Sequence, residues 1–432
     1  MGRKYVIVGT GAAGLAAAET IRELDPSGEI LIFGDDLYGF YSRPGVAYFL
    51  TGELTERQLS LKQGNPFCRI GAVVTSVLPE SHIIAAGGKE YPYDKLLLAT
   101  GSLAVPLAIP GSDLKGVVKL DNLADAKNII KQSGRGKTGV VVGGGIIALE
   151  MVEAFLARGM KTWYLIRSNR YWPNVLDKAE SEIVENRLKA HGVIIKYETE
   201  LARVLGEKGK VVAVETKSGE KIKCDVLGVA IGIQPRIELA KAAGLKTEKG
   251  ILTDEFLRTT APDVFAAGDC AQVRDPATGK SALNTLWGTA LVHGRTVGRN
   301  MTGSPVPVNR GAVTNIARLA GITTTIIGSV GQNENDPDLT TISRGDSESW
   351  RQIPDVLAVQ ADFEVNHVRI MVGPRHIEGA IVMGDQTLSR PLRELVAAKA
   401  DVSAIAAKLR SSDVSLTDTI LDFWSGWRYA VA

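Results

Sequence analysis

At 432 residues the chain is too long for one ordinary core and fits two or three domains of roughly 100 to 200 residues each. Hydrophobic residues make up 45% and charged residues 23%, an ordinary soluble α/β balance, while the 46 glycines exceed the roughly 7% average and point to many tight turns or backbone approaches to a ligand. A formal net charge of only +2, with no long single-sign run, gives no electrostatic footprint for nucleic acid or an anionic membrane.

The chain runs from Met1 directly into the apolar Tyr5-Val6-Ile7-Val8, so neither a signal peptide nor, beyond it, an apolar run of membrane length is expected. Residues 4 to 36, KYVIVGTGAAGLAAAETIRELDPSGEILIFGDD, predict strand, glycine turn, helix and strand, a βαβ unit. The stretch AVVTSVLPESHIIAA alternates around turn residues and predicts a hairpin. A second βαβ unit begins at Gly139 and runs through the helical IIALEMVEAFLARGM to the strand Thr162-Trp163-Tyr164-Leu165-Ile166. A further β-meander is expected in ARVLGEKGKVVAVETKSGEKIKC. Beyond about Pro305 the segments Thr323 to Ile327, VLAVQAD, HVRIMVG and HIEGAIVMG predict antiparallel strands, and SRPLRELVAAKA and DVSAIAAKLRSS predict helices. The fold class is therefore α/β, with two Rossmann-like dinucleotide-binding domains and a smaller α+β C-terminal domain at about 311–432.

The first glycine fingerprint is Gly9-Thr10-Gly11-Ala12-Ala13-Gly14, directly after a strand, with Asp35 and Asp36 at the end of the next strand. The spacing has a mechanism: missing side chains let backbone approach a pyrophosphate, the helix N-terminus supplies N–H donors, and an acid accepts from ribose hydroxyls. The second is Gly143-Gly144-Gly145-Ile146-Ile147-Ala148, with Ala148 at the helix-packing position. Its strand ends in Ile166-Arg167-Ser168-Asn169-Arg170, with no acid. These arginines suit a 2′-phosphate, or form an ordinary solvated basic turn.

Three further motifs accompany the fingerprints. Leu98-Ala99-Thr100-Gly101-Ser102 and its echo Val229-Ala230-Ile231-Gly232-Ile233 are strand ends breaking at glycine, and Asp263-Val264-Phe265-Ala266-Ala267-Gly268-Asp269 ends a strand on a carboxylate beside a glycine. With these in view, Lys4 to about Gly303 resembles the two-dinucleotide flavoproteins of the pyridine nucleotide-disulphide oxidoreductase superfamily. Tyr41-Ser42-Arg43-Pro44 is similar to the Tyr-x-Arg segment of its rubredoxin and ferredoxin reductases and of the flavin module of nitrite reductases.

That resemblance implies FAD at Gly9, Gly11, Ala12, Ala13, Gly14 and Asp35 or Asp36, with Arg43, Lys62, Val74, Ala99, Thr100 and Gly101 near it. Gly268 and Asp269 would touch its ribityl and pyrophosphate part, and the helix from Trp287 would direct its N-terminus at the isoalloxazine. NADPH, or else NADH, would meet Gly143, Gly145, Ile146, Ala148, Arg167, Arg170 and Gly232, with NADPH preferred. Glu150 matches a position near the nicotinamide and flavin, or is an ordinary exposed helix carboxylate. The implied domains are 1–110 and 251–310 for FAD and 111–250 for NAD(P)H.

The implied activity is hydride transfer from NAD(P)H to FAD and onward electron transfer to a redox protein, rubredoxin-like, ferredoxin-like or another metal centre. A small acceptor such as oxygen, a quinone or a sulphur compound, and an assembly role governed by nucleotide state, remain alternatives. The chain departs from the disulphide reductases by carrying Arg43-Pro44-Gly45-Val46 where they have a redox cysteine. Cys68, Cys224 and Cys270 are far apart, with neither CxxC nor zinc spacing, and the five histidines have no metal-ligand spacing. No metal is expected, and a reducing cytoplasm is the expected location. The aromatic tail Leu421 to Trp427 is expected to pack on its own core or on a homodimer mate.

Overall fold

The structure is a computed structural model that describes residues 2–60, 68–70, 72–276, 279–309, 311–330, 340–344, 366–411 and 413–431, with side chains at all of these except 68–70 and 340–344. It divides into two compact units. One holds Met1–Gly143, Glu150–Thr162 and Leu201–Asn309; the other holds Gly144–Leu149, Trp163–Glu200 and Arg310–Ala432.

In the first unit Lys4–Val8 lies between the parallel strands Glu29–Gly34 and Lys95–Leu98. Val264–Ala266 and Cys68–Ile70 extend that sheet at its two ends. Val6, Ile7, Leu96, Leu97 and Ile32 are fully buried, as expected for apolar strands covered on both faces. The helix Ala12–Leu24 packs on Trp287–Thr302 at unusually close range. A Cβ built at Gly294 would stand 2.3 Å from the Ala13 carbonyl oxygen, and one at Gly298 would stand 2.7 Å from Thr20 Cβ. The alanines of the first helix and the glycines of the second thus let two backbones meet, and the motif-bearing turns at both helix starts are held in one rigid pair.

The expected hairpin and the expected meander are both present, the hairpin extended by a third strand. Val74–Leu78, Ile83–Ala86 and Lys89–Pro92 form one antiparallel sheet, and Leu201–Glu207, Lys210–Thr216 and Lys221–Lys223 form another. Thr138–Val142 pairs in parallel with Val226–Val229, which pairs with Val117–Val118.

In the second unit Lys161–Leu165 pairs through Trp163, Tyr164 and Leu165 with Ile194–Lys196 in parallel, and the helix Lys178–Ala190 lies between them in sequence. The C-terminal domain is a five-stranded antiparallel sheet in the order Thr314–Leu319, Ile322–Gly328, Ile377–Met383, His367–Val372, Thr340–Arg344. The helices Ser389–Ala398 and Leu416–Val431 complete its core around Ile327, Ile370, Leu392, Leu395 and Ile420. The strand expected at VLAVQAD lies outside the described residues. The helix expected over 401–412 is shorter: a 3-10 turn at Ser403–Ile405 leads into Ala406–Arg410. Asp401 accepts from the Ser403 backbone N–H at 3.0 Å, local bonding that competes with a longer helix.

The aromatic tail packs on its own domain. Trp424 Nε1 donates to Glu394 at 2.9 Å, and Arg390 and Arg428 lie over its ring at 5.7 and 5.0 Å. Among the described residues no helix is long and apolar enough to cross a membrane.

Candidate functional site

At the first fingerprint, Gly9 has φ +130° and an added Cβ would stand 1.9 Å from the Ala99 carbonyl oxygen; one at Gly14 would stand 2.2 Å from the Gly9 carbonyl oxygen. Those two glycines close the turn. Gly11 differs, because an added Cβ meets nothing within 4 Å. Gly11 is also the N-cap of Ala12–Leu24 and provides no side-chain cap. The space beside Gly11 is therefore open at the positive end of that helix, a fit for a pyrophosphate.

The two acids beyond the next strand are not equivalent. Asp36 has both oxygens engaged, Oδ1 accepting from Tyr38 N at 3.0 Å and Oδ2 from the Tyr41 hydroxyl at 2.8 Å. Asp35 is exposed and accepts from Arg236 at 2.7 Å. That hydrogen bond outweighs partial burial and holds the Asp35 carboxyl below its ordinary value. Asp35 keeps capacity for ribose hydroxyls. Arg43 donates to the Asp121 carbonyl and stands 3.9 Å from Asp36, which ties the Tyr-x-Arg segment to the same rim. Val74 is half-buried at the start of its strand; Lys62 lies outside the described residues.

The strand-end motifs gather on this unit. Ala99 N donates to Val8 O at 2.8 Å, and the Thr100 hydroxyl donates to Arg236 O at 2.7 Å. Gly101 and Gly232 take φ of +73° and +125°, and the segments beyond them, Ser102–Ala104 and Ile233–Pro235, pair antiparallel. The two echoes in the sequence thus lead into two strands that pair with each other. Asp269 comes directly after Gly268, whose φ is +76°. Burial raises the Asp269 carboxyl above its ordinary value, opposed by the 2.7 Å hydrogen bond from Ser102 Oγ. The Gly268 N–H donates to His293 Nδ1 at 3.3 Å, so this buried histidine is a structural acceptor. Trp287 opens its helix with no side-chain cap at Leu286.

At the second fingerprint, Gly143 has φ +148°, Ala148 is fully buried, and a Cβ at Gly144 or Gly145 would meet nothing within 4 Å. This is a second open cradle at a helix start. Arg167 is exposed, Arg170 is half-buried, and Arg170 reaches the Pro173 carbonyl at 3.4 Å. Glu150 sits on the fingerprint helix Ile146–Ala157. Burial, with the Glu153 charge adding to it, pushes its carboxyl up to about 8. No hydrogen bond or ion pair to it is found among the described residues. A carboxyl that titrates near neutral pH without a partner is a candidate proton donor or acceptor.

Residues 3–289 match the family model for pyridine nucleotide-disulphide oxidoreductases. The chain belongs to that family. It is an FAD-dependent oxidoreductase of the NAD(P)H-using kind, and the two cradles fit those two dinucleotides. The family member rubredoxin-NAD(+) reductase of Ectopseudomonas oleovorans is 33% identical over 310 residues, covering 70% of this chain and 80% of the relative. An NADH oxidase of Methanocaldococcus jannaschii is 31% identical over 337 residues, covering 73% and 74%. In fold, the chain is similar to a putidaredoxin reductase solved in covalent complex with putidaredoxin. The TM-score is 0.84 at 24% identity, over 97% of this chain and 98% of that one.

Unlike the disulphide-reducing members, this oxidoreductase carries Arg43-Pro44 at the expected cysteine position. Cys224 and Cys270 are buried, and burial raises both thiols, Cys224 to about 12. Neither is a ready thiolate.

Arg236 and Ser102 carry no signal in the sequence, because their partners Asp35 and Asp269 lie 201 and 167 residues away. One cluster, buried but for Asp177, is equally hidden. Asp177, Glu180 and His367 bring ligand-type atoms within 4.8 Å of one another, which their spacing in the chain conceals. Arg369 bonds both Glu180 oxygens there, at 2.8 and 2.9 Å, so the carboxylate already has its cation.

Proposed function

We propose that this oxidoreductase binds FAD at the Gly9 fingerprint and NADPH at the Gly143 fingerprint, and passes electrons one at a time to a small iron–sulphur or rubredoxin-type protein. Bound FAD supplies the redox chemistry, accepting a hydride and releasing single electrons. The chain's own residues position and screen. Gly11 leaves the pyrophosphate its space, Asp35 takes the ribose, and Arg43, Thr100, Gly101, Gly268, Asp269 and the Trp287 helix start surround the rest. Glu150 holds or releases a proton beside the reacting pair.

The observation that carries the coenzyme half of this reading is a missing acid. The strand that would end in a ribose-binding carboxylate ends in Ile166-Arg167, and a forked cation there recognises a 2′-phosphate. NADH is the second reading, favoured by the relative whose name is rubredoxin-NAD(+) reductase. That relative, matched over four-fifths of its length, also supports a redox-protein acceptor.

The test is anaerobic turnover with NADPH or NADH and a rubredoxin or a [2Fe–2S] ferredoxin as acceptor, set against aerobic turnover with oxygen alone. NADPH should be favoured, and turnover with the iron protein should exceed oxygen consumption and fall as salt rises. Turnover with oxygen that no iron protein accelerates would refute the acceptor assignment.

A further inference from the structure

Twelve residues, 166–177, connect the strand Lys161–Leu165 to the helix Lys178–Ala190, and they carry Arg167 and Arg170. A connection of this length without regular structure holds its side chains in place only if its backbone is tied down. Its neck is tied by Ile166 N to Lys196 O at 2.8 Å and by Glu198 N to Ser168 O at 3.1 Å. Its middle hangs on the helix beyond it: Tyr171 N donates to Glu185 Oε1 at 2.7 Å, and Ser181 Oγ donates to Tyr171 O at 2.7 Å. Trp172 is held at φ +47°, a left-handed conformation that a bulky residue keeps only when its surroundings impose it.

The far end of the connection is fixed from the C-terminal domain. Asp177 and Glu180 form a capping box, with Asp177 N to Glu180 Oε2 at 2.9 Å and Glu180 N to Asp177 Oδ1 at 2.8 Å. On the strand His367–Val372, Arg369 grips Glu180 with both arms of its guanidinium and donates to Val175 O at 2.7 Å. His367 Nε2 stands 3.3 Å from Glu180 Oε1. Glu180 is 0% and Arg369 1% exposed. A buried ion pair of this kind adds little net stability over well-packed apolar residues. What a planar bidentate fork does provide is geometry.

We infer that Arg369 is a positioning residue for coenzyme selection: through Val175 and the Asp177–Glu180 capping box it fixes the connection that presents Arg167 and Arg170 to the adenosine end of NADPH. This rests on the reading of those arginines as the 2′-phosphate contact. It assigns to the C-terminal domain a part in coenzyme choice, made by a side chain that itself touches no coenzyme.

The experiment uses full-length, FAD-loaded protein and stopped-flow flavin reduction by NADPH, by NADH and by reduced nicotinamide mononucleotide, which lacks the adenosine end. The main variant is Arg369→Met with Glu180→Met, which removes both charges of the buried pair; Arg369→Lys keeps the charge and removes the fork. In the double variant Kd for NADPH should rise roughly tenfold, the loss expected for about one charge-assisted contact. The NADPH preference over NADH should shrink with it. The limiting rate and all kinetics with the mononucleotide should stay within about twofold of the parent, and Arg369→Lys should fall between. A folded double variant with parental NADPH affinity would overturn the inference, as would equal losses with NADPH and the mononucleotide. Arg167→Glu separates the two levels. If it too leaves NADPH affinity unchanged, the 2′-phosphate reading falls and the inference with it. If it weakens NADPH while the double variant does not, only the inference falls.

Discussion

The two glycine fingerprints share a turn and differ in the residue that ends the next strand. After Gly9–Gly14 that strand ends in Asp35 and Asp36, and after Gly143–Ala148 it ends in Arg167. Both leave an open cradle at a helix start, at Gly11 and at Gly145. On the proposed reading, the glycines provide for a dinucleotide without specifying which one, and the polar residue roughly twenty positions on carries the distinction. In one case that residue is a carboxylate held ionised by Arg236; in the other it is an exposed cation.

The sharpest way to break this comparison is to fill one cradle at a time. Gly11→Trp should abolish flavin binding, because its side chain would occupy the pyrophosphate's approach; the measurement is the flavin released on heat or acid treatment. Gly145→Trp should leave a yellow, FAD-loaded protein whose flavin NADPH no longer reduces. Retention of FAD by Gly11→Trp, or loss of FAD in Gly145→Trp, would mean that the two cradles are not separate dinucleotide sites. The flavin released from the parent protein should be FAD rather than FMN.

The next effect is smaller. Arg167→Glu should shift the NADPH-to-NADH preference toward NADH by about tenfold, the lower end for an Arg–phosphate contact of roughly 1.5 to 3 kcal/mol because Arg167 is exposed. Stopped-flow reduction with each coenzyme measures it, and an unchanged ratio would make this a solvated turn.

Smaller again is a pH effect at Glu150. Its folded value of about 8 lies above the ordinary carboxyl value, so the native state favours the protonated form. Any stabilisation from keeping the carboxyl neutral is complete at acid pH and lost as pH rises toward about 8. Flavin reduction in the parent should show a titration near that pH which Glu150→Gln removes. A profile identical in both would make Glu150 an ordinary helix carboxylate.

The smallest expected effect is none: replacing Cys68, Cys224 and Cys270 together with Ala or Ser should leave flavin reduction nearly intact. Loss of reduction in a folded, FAD-loaded variant would restore a cysteine mechanism.

What could be read from the sequence was local. The βαβ units, the two hairpin regions and three of the five strands of the C-terminal sheet emerged from period-2 and period-3.6 patterns punctuated by glycine, while Thr314–Leu319 and Thr340–Arg344 did not. The glycine turns at Gly101 and Gly232 emerged from a repeated strand end. The polar partnerships escaped, because each joins residues that only the fold brings together. Arg236 meets Asp35 across 201 residues, and Arg369 meets Glu180 across 189. No periodicity encodes such a pair. The histidines could be placed only by structure: His293 accepts from Gly268 in the core, and His367 joins a buried acid–arginine cluster rather than a run of ligand spacing. Lys62, which entered through resemblance, lies outside the described residues.

The most direct test is an anaerobic titration of the purified protein with NADPH, and then with an oxidised rubredoxin or [2Fe–2S] ferredoxin. The expected result is stoichiometric bleaching of the flavin band by NADPH and its full return on adding the iron protein. An FAD-loaded protein whose flavin neither NADPH nor NADH bleaches would contradict the assignment of the second cradle to the nicotinamide coenzyme.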